Sequence, residues 1–388
     1  MHARYRLALV ALASMLIPAP SLAQSVAQNL SATLERDVPA WLQEFHEPGV
    51  AVVVLEGCRP ALVRAWGVAD RQTARPMTSG TVFNLGSISK TLTAWGVTRL
   101  AESGAIDLDA PVAQYLERWR LPSGEFDPAA ITVRGLLSHT AGINVPSVAG
   151  VDPDEAAPSL LDELEKGRAA EEIEPVRIVR APGSAFEYSG GGYMVLQLLV
   201  EDVTGQPFAE WMRSQVLQPL GMASSAYGLD PVLTERAAMP YATDGTAYAH
   251  RVYPGLAAAG LWSTPEDLGA FLAAHCASGG AGPAGAGVVS PAGLASMWTP
   301  QPPAERYGLG YQIHQPLGEE PVVGHSGSNL GWKADFIVFP GLGLGIAALT
   351  NVDDGKTRIA VMEVFRDAVI AAARAGTLAG PDAAEPPG

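Results

Sequence analysis

Lysine is scarce in this 388-residue chain: Lys90, Lys166, Lys333 and Lys356 are its four, and the rest of its 25 basic residues are arginine. Against 40 acidic side chains, the formal charge is −15. No stretch interleaves basic with aromatic residues, so a nucleic-acid partner, which needs a basic face to offset phosphates, is not expected. Cysteine is as scarce. Cys58 and Cys276 are too few for a disulfide scaffold and too far apart in sequence to read as a metal pair. They are either bridged, in an oxidising compartment, or two separate buried thiols. No His-Glu-x-x-His and no close His/Cys/Asp group occurs, so neither a catalytic metal nor another cofactor is implied. The Gly-x-Ser-x-Gly elbow of the common triad hydrolases is missing too.

Long apolar runs are confined to the start of the chain. Arg4 and Arg6 precede Leu7 to Leu16, followed by Pro18, Pro20 and Ser21-Leu22-Ala23. This is the pattern of a secretory signal cleaved after Ala23, with an uncleaved membrane anchor as the alternative. Cleavage takes the formal charge from −15 to −17 and leaves no stable membrane span. An exported protein, periplasmic or secreted, is expected.

With 48% hydrophobic and 17% charged residues, the chain is long enough for a large core and two packed units. Leu30, Leu34, Val38 and Leu42 recur at helical spacing. Val50 to Leu55 and Ala61 to Trp66, separated by Glu56-Gly57, read as a hairpin. Residues 107–239 are mostly helical in pattern. Ser263-Thr264-Pro265-Glu266-Asp267 is a helix start with a hydroxyl cap, an early proline and acids at the positive end. Tyr311 to His314, Trp332 to Phe339 and Leu344 to Thr350 read as strands, and Thr357 to Arg374 as a final helix. Residues 277–288 read as a flexible loop, 376–388 as a disordered tail, and the acids from Asp162 to Glu174 as a solvated face. The order predicts a sheet domain built from both ends, 24–106 and 240–375, around a helical insertion at 107–239.

Three separated stretches carry candidate chemistry. In Gly86-Ser87-Ile88-Ser89-Lys90, a helix starting near Ser87 puts Ser87 and Lys90 on one face of its first turn. An unprotonated Lys90 there takes the Ser87 proton, provided burial or nearby positive charge keeps the amine neutral. The tetrad alone also describes an ordinary helix start with a solvated lysine. In Glu187-Tyr188-Ser189-Gly190, Tyr188 is either a proton-transfer group whose phenol a cationic lysine makes more acidic, or a packed tyrosine beside a turn. In Gly324-His325-Ser326-Gly327-Ser328, His325 either assists proton transfer or sits solvated on a surface turn, and Gly327 lets backbone approach a substrate.

Taken in order, these stretches resemble the serine β-lactamase-related hydrolases, in the branch of class C β-lactamases, D-alanyl-D-alanine carboxypeptidases, D-aminopeptidases and esterases. Ser87-x-x-Lys90 matches the first motif of that family, Tyr188-Ser189-Gly190 falls at Tyr-x-Asn, and His325-Ser326-Gly327 falls at Lys/His-Thr/Ser-Gly. The segments 136–142, 262–267 and 307–311 resemble the family as well. The resemblance implies an α/β (α+β) fold of the β-lactamase/transpeptidase type, with a central antiparallel sheet, flanking helices and an inserted, mostly helical domain. It implies an acyl-enzyme on Ser87, with Lys90 and Tyr188 sharing acid and base work and His325 tuning Tyr188 and touching substrate. The backbone N–H groups of Ser87 and Ser328 would form the oxyanion hole, and Gly190, Ser326 and Gly327 would lie on the substrate side.

One departure bears on substrate. Gly190 replaces the asparagine that binds a substrate amide, which removes that donor and acceptor and is expected to open space. Histidine in the third motif lacks the permanent charge a lysine offers to a substrate carboxylate. Weight therefore moves to a small-molecule ester or a short D-amino-acid-containing peptide as substrate, ahead of a DD-carboxypeptidase or class C-like β-lactamase. Acyl transfer to a small acceptor and a catalytically inactive, envelope-binding protein are the remaining readings.

Overall fold

The computed structural model describes residues 25–169, 172–276 and 285–378. The expected signal peptide, Glu171, most of the 277–288 loop and the tail beyond 378 lie outside these residues. Helix α1 (Val26–Glu44) is followed by the hairpin β1 (Gly49–Glu56) and β2 (Arg59–Asp70), then β3 (Arg75–Pro76), β4 (Phe83–Asn84) and α2 (Ile88–Glu102). Short helices α3 (Val133–Leu137) and α4 (Leu160–Lys166) lead to α5 (Gly190–Thr204), α6 (Phe208–Met212), β5 (Ala226–Tyr227), α7 (Pro231–Thr234) and α8 (Leu256–Ala259). The last part holds β6 (Leu261–Ser263), α9 (Pro265–Ala273), α10 (Pro291–Met297), β7 (Gln312–Ile313), β8 (Val323–Asn329), β9 (Trp332–Phe339), β10 (Leu344–Thr350) and α11 (Lys356–Arg374).

The two ends of the chain meet in one antiparallel sheet, ordered β3-β2-β1-β10-β9-β8-β7. The seam is β1 on β10, from Val50 opposite Thr350 to Leu55 opposite Gly345. Both faces of β1 are covered, which explains its unbroken apolar run. Val50, Val52 and Val54 point to a core shared with α1 and α11, whereas Ala51, Val53 and Leu55 point to the larger core containing α2 and α9. On α1, Leu30, Leu34, Val38 and Leu42 form the buried stripe. Its free N-terminal N–H groups are taken by the Glu56 carboxylate, which accepts from Val26 at 2.9 Å and Ala27 at 3.1 Å.

Helix α2 is buried on nearly every side, so its sequence shows no single apolar face. Two of its buried threonines find carbonyls on other segments: Thr91 Oγ1 donates to the Gly310 carbonyl at 2.8 Å and Thr93 Oγ1 to the Ala257 carbonyl at 3.0 Å. Gly96 lets Trp211 and Met212 close on it, since a Cβ there would stand 2.6 Å from Met212 Sδ. The helical middle is an inserted subdomain, although β5 leaves it to form a small three-stranded sheet, β4-β6-β5, beneath the start of α2. Cys58 and Cys276 are bridged, Cα to Cα 5.9 Å, tying the β1–β2 turn to the end of α9. Residues 376–378 close α11, with Thr377 N–H donating to the Ala372 carbonyl at 3.0 Å.

Candidate active site

The turn into α2 is fixed before any chemistry is asked of it. Leu85-Gly86 leaves β4 with Gly86 at φ +52°, and Ser87 becomes the helix N-cap without spending its hydroxyl on the cap. Ser89 Oγ donates to the Gly86 carbonyl at 2.6 Å and accepts from Leu261 N–H at 2.9 Å. Asn84 Oδ1 accepts from Gly86 N–H at 3.0 Å and from Asn329 Nδ2 at 2.6 Å, and Asn329 Nδ2 also donates to the Ala259 carbonyl at 3.0 Å. Two asparagines thus tie the Ser87 turn, the end of α8 and strand β8 together.

Lys90, one turn on, is 2% exposed. Its Nζ lies 3.2 Å from Ser87 Oγ and donates to the Ala258 carbonyl at 2.8 Å, and it stands 5.0 Å and 5.7 Å from the ring centres of Tyr188 and Tyr193. Burial disfavours the cation and brings its pKa from 10.5 down to about 7. Both conditions set by the sequence, one helix face and burial, are met at this pair.

At Tyr188 the expected direction is reversed. Burial pushes the phenol up to about 12, with the nearby Ser87 hydroxyl pulling only partly back. A lysine that is itself near its neutral point supplies little charge to make the phenol acidic. Tyr188 is therefore a protonated donor at neutral pH.

The surface-turn alternative for the third motif does not hold: Val323–Asn329 is strand β8, paired with β9, and His325 is 2% exposed. Its Nδ1–H donates to the Ser326 carbonyl at 2.6 Å, which leaves Nε2 to accept the Tyr307 hydroxyl at 2.8 Å. Burial holds its pKa at about 3, so the ring is neutral. With both nitrogens engaged, His325 meets Tyr188 by ring packing, with centroids 6.3 Å apart. Gly327 and Gly86 explain how closely β8 approaches the Ser87 turn. A Cβ on Gly327 would collide with the Leu85 carbonyl oxygen, and one on Gly86 would stand 2.6 Å from Ser328 N. Ser326 is exposed and accepts from Gln312 Nε2 at 3.3 Å, whereas Ser328 Oγ takes Lys333 Nζ at 2.6 Å.

The space expected beside Gly190 is filled. Gly190 is buried, its N–H donates to the Val145 carbonyl at 2.7 Å, and a Cβ on it would lie 2.9 Å from Val148 Cγ2. The 144–149 segment is drawn over α5 by Ser189 Oγ, which donates to the Asn144 carbonyl at 2.6 Å, and by Arg168, which donates to the Ala149 carbonyl. The 144–149 loop occupies the place of the missing amide.

Sequence reasoning assigned no side-chain role to Asn84, His139, Asn329 or Tyr307. His139 Nδ1 accepts from Ser189 N–H at 3.0 Å, which fixes the proton on Nε2, and its ring packs 4.2 Å from that of Tyr188, tilted by 39°. Burial holds His139 far below 6.5. The segments 136–142 and 307–311 were available as signals; which of their side chains face the site was not. Among the described residues no group of three or more His, Cys, Asp and Glu comes together as a metal site would require.

The Beta-lactamase family model matches residues 36–368. Esterase EstB of Burkholderia gladioli is 32% identical over 242 residues, 59% of each chain. Penicillin-binding protein 4 of Amycolatopsis lactamdurans is 30% identical over 335 residues, 79% of this chain and 82% of that one. The match thus spans about three fifths of the esterase's own length. Among solved structures, the octameric penicillin-binding protein homologue from Pyrococcus abyssi superposes with a TM-score of 0.70 at 25% identity, covering 91% of this chain and 78% of that one. With the family model spanning sheet, inserted helices and all three motif stretches, the chain belongs to the beta-lactamase family, within the serine-hydrolase superfamily that takes in penicillin-binding proteins, D-alanyl-D-alanine carboxypeptidases and esterases.

Proposed function

We propose that this protein is an exported serine acyl hydrolase that acts through an acyl-enzyme on Ser87, on an ester or a D-amino-acid-containing peptide. The observation that carries the reading is a serine hydroxyl 3.2 Å from a buried amine whose pKa is about 7. Neutral Lys90 takes the Ser87 proton as Oγ attacks the acyl carbon. The carbonyl oxygen becomes an oxyanion held by the backbone N–H groups of Ser87 and Ser328, which the close packing of Gly86 and Gly327 supports. As the carbon–leaving-group bond breaks, the Tyr188 hydroxyl gives its proton to the departing atom and is reprotonated by the Lys90 ammonium. In the second half, Lys90 takes a proton from water, the hydroxide attacks the acyl-enzyme, and that proton returns to Ser87 Oγ. His325 acts as a positioning residue: neutral and doubly hydrogen-bonded, it holds β8 and Tyr307 around Tyr188.

The ester is favoured over the amide by the filled site at Gly190. No side-chain amide is presented there, and Val148 stands where one would reach a substrate amide. Hydrolysis of short-chain esters by the mature protein and by Ser87→Ala tests the reading. The wild type is expected to turn over and the variant to lose about 10³-fold or more; equal rates would sink it.

A further inference from the structure

A cavity of 470 Å³ opens beside Tyr188, walled by Phe186, Tyr188, Tyr307 and Pro303 and completed by Arg306 and Gln312. Its walls are ring surfaces. Phe186 and Tyr307 lie 5.6 Å apart at 41°, and Tyr188 and Tyr307 lie 6.3 Å apart at 82°. Phe186 is 43% exposed, a phenyl ring facing water at the mouth of the cleft, where a ligand that covered it would remove apolar surface from solvent. Glu305 and Arg306, adjacent and opposite in charge, add no net charge to the lining. Gln312 reaches Ser326 Oγ, so the far end of the cavity is the strand that carries the third motif.

The direction of the chemistry says which part of a substrate enters. Under the proposed mechanism the departing atom takes its proton from Tyr188, so the group attached to it leaves past the Tyr188 ring. The acyl oxygen lies instead toward the backbone of Ser87 and Ser328. We propose that this cavity is the leaving-group site and that it takes a flat, uncharged ring, so that the best substrates release an aromatic alcohol or amine. This rests on the acyl-hydrolase reading and names its substrate class.

Four esters test it on the mature protein: ethyl, n-butyl and benzyl acetate, whose alcohols are similar leaving groups, and methyl phenylacetate, which moves the ring to the acyl side. Benzyl acetate is expected to exceed n-butyl acetate by about tenfold or more in kcat/KM, the gain of covering one ring. Phe186→Ala is expected to remove most of that preference, lowering kcat/KM for benzyl acetate about fivefold or more beyond any loss on ethyl acetate, and Phe186→Leu, apolar but not flat, to fall between. Benzyl and butyl acetate at equal rates, or a Phe186→Ala loss shared equally by ethyl acetate, would overturn the inference and leave the hydrolase reading standing. Methyl phenylacetate as the preferred, Phe186-dependent substrate would make the cavity an acyl site instead. Absence of Ser87-dependent turnover of all four would overturn both.

Discussion

The protonation of Lys90 should be visible in the pH dependence of the reaction. Only the neutral amine can accept the Ser87 proton, and burial has moved its pKa from 10.5 to about 7. On the acid side, kcat/KM for an ester is expected to rise tenfold per pH unit and level off through about pH 7, leaving roughly a tenth of the plateau at pH 6 and about a hundredth at pH 5. Tyr188, at about 12, sets no alkaline fall before roughly pH 10. Lys90→Arg keeps the charge and cannot release it, so the loss should be about 10²–10⁴-fold with the limb at 7 gone. The same shift has a stability consequence of fixed sign. Between about 7 and 10.5 the unfolded chain binds a proton at Lys90 that the folded one does not, so stability from this group rises with pH across that window. Below about 7 the folded protein carries the whole cost of a buried ammonium, on the order of 5 kcal/mol. Lys90→Met should therefore be more stable than the wild type at pH 6, with the gap narrowing toward pH 10. Stopped-flow or initial-rate profiles on an ester, with denaturant unfolding at both pH values, measure the two effects. A midpoint near 4–5 or above 9, or a Lys90→Arg profile like the wild type's, would refute the assignment of the base.

Further predictions concern the groups around this pair. Gly190→Asn should not restore amide recognition by itself, because its Cβ meets Val148 at 2.9 Å; a loss of about 1–3 kcal/mol is expected in denaturant unfolding, recovered in part when Val148→Gly is added. Asn329→Leu removes a donor to the Asn84 side chain and the Ala259 carbonyl. It should lower stability by about 1–3 kcal/mol and kcat more than it raises KM, measurable by steady-state kinetics with thermal unfolding. Replacing both Cys58 and Cys276 by serine opens a bridge spanning 218 residues, for an expected loss of about 3–5 kcal/mol with ester turnover retained at 25 °C; an unchanged melting temperature would contradict it.

Much of the architecture was legible because the apolar pattern states it. The unbroken apolar run of β1, the stripe on α1 and the capped start of α9 each follow from local rules, and the two ends had to pair to bury the valines of β1. Helix α2 was legible as a helix but not as a fully buried one, since its Thr and Ser side chains look like a solvated face until Gly310 and Ala257 offer carbonyls. His325 read equally as a surface residue, because nothing local announces that Tyr307, 18 residues earlier, covers its Nε2. The direction of the Tyr188 shift was misjudged for a similar reason: desolvation depends on the whole fold, whereas a neighbouring lysine can be read from the motif. Gly190 shows the limit most clearly. An absent side chain reads as space in a sequence, and in the structure the 144–149 loop has taken it.

The most direct test of the Ser87–Lys90 centre is intact-mass and peptide-mapping analysis of the mature protein mixed with an activated ester and quenched within the first turnover. An adduct of the acyl mass on the peptide containing Ser87, forming faster as pH rises through about 7 and missing in Ser87→Ala, is the expected result. Turnover with no adduct on that peptide, or with the adduct on another residue, would contradict it.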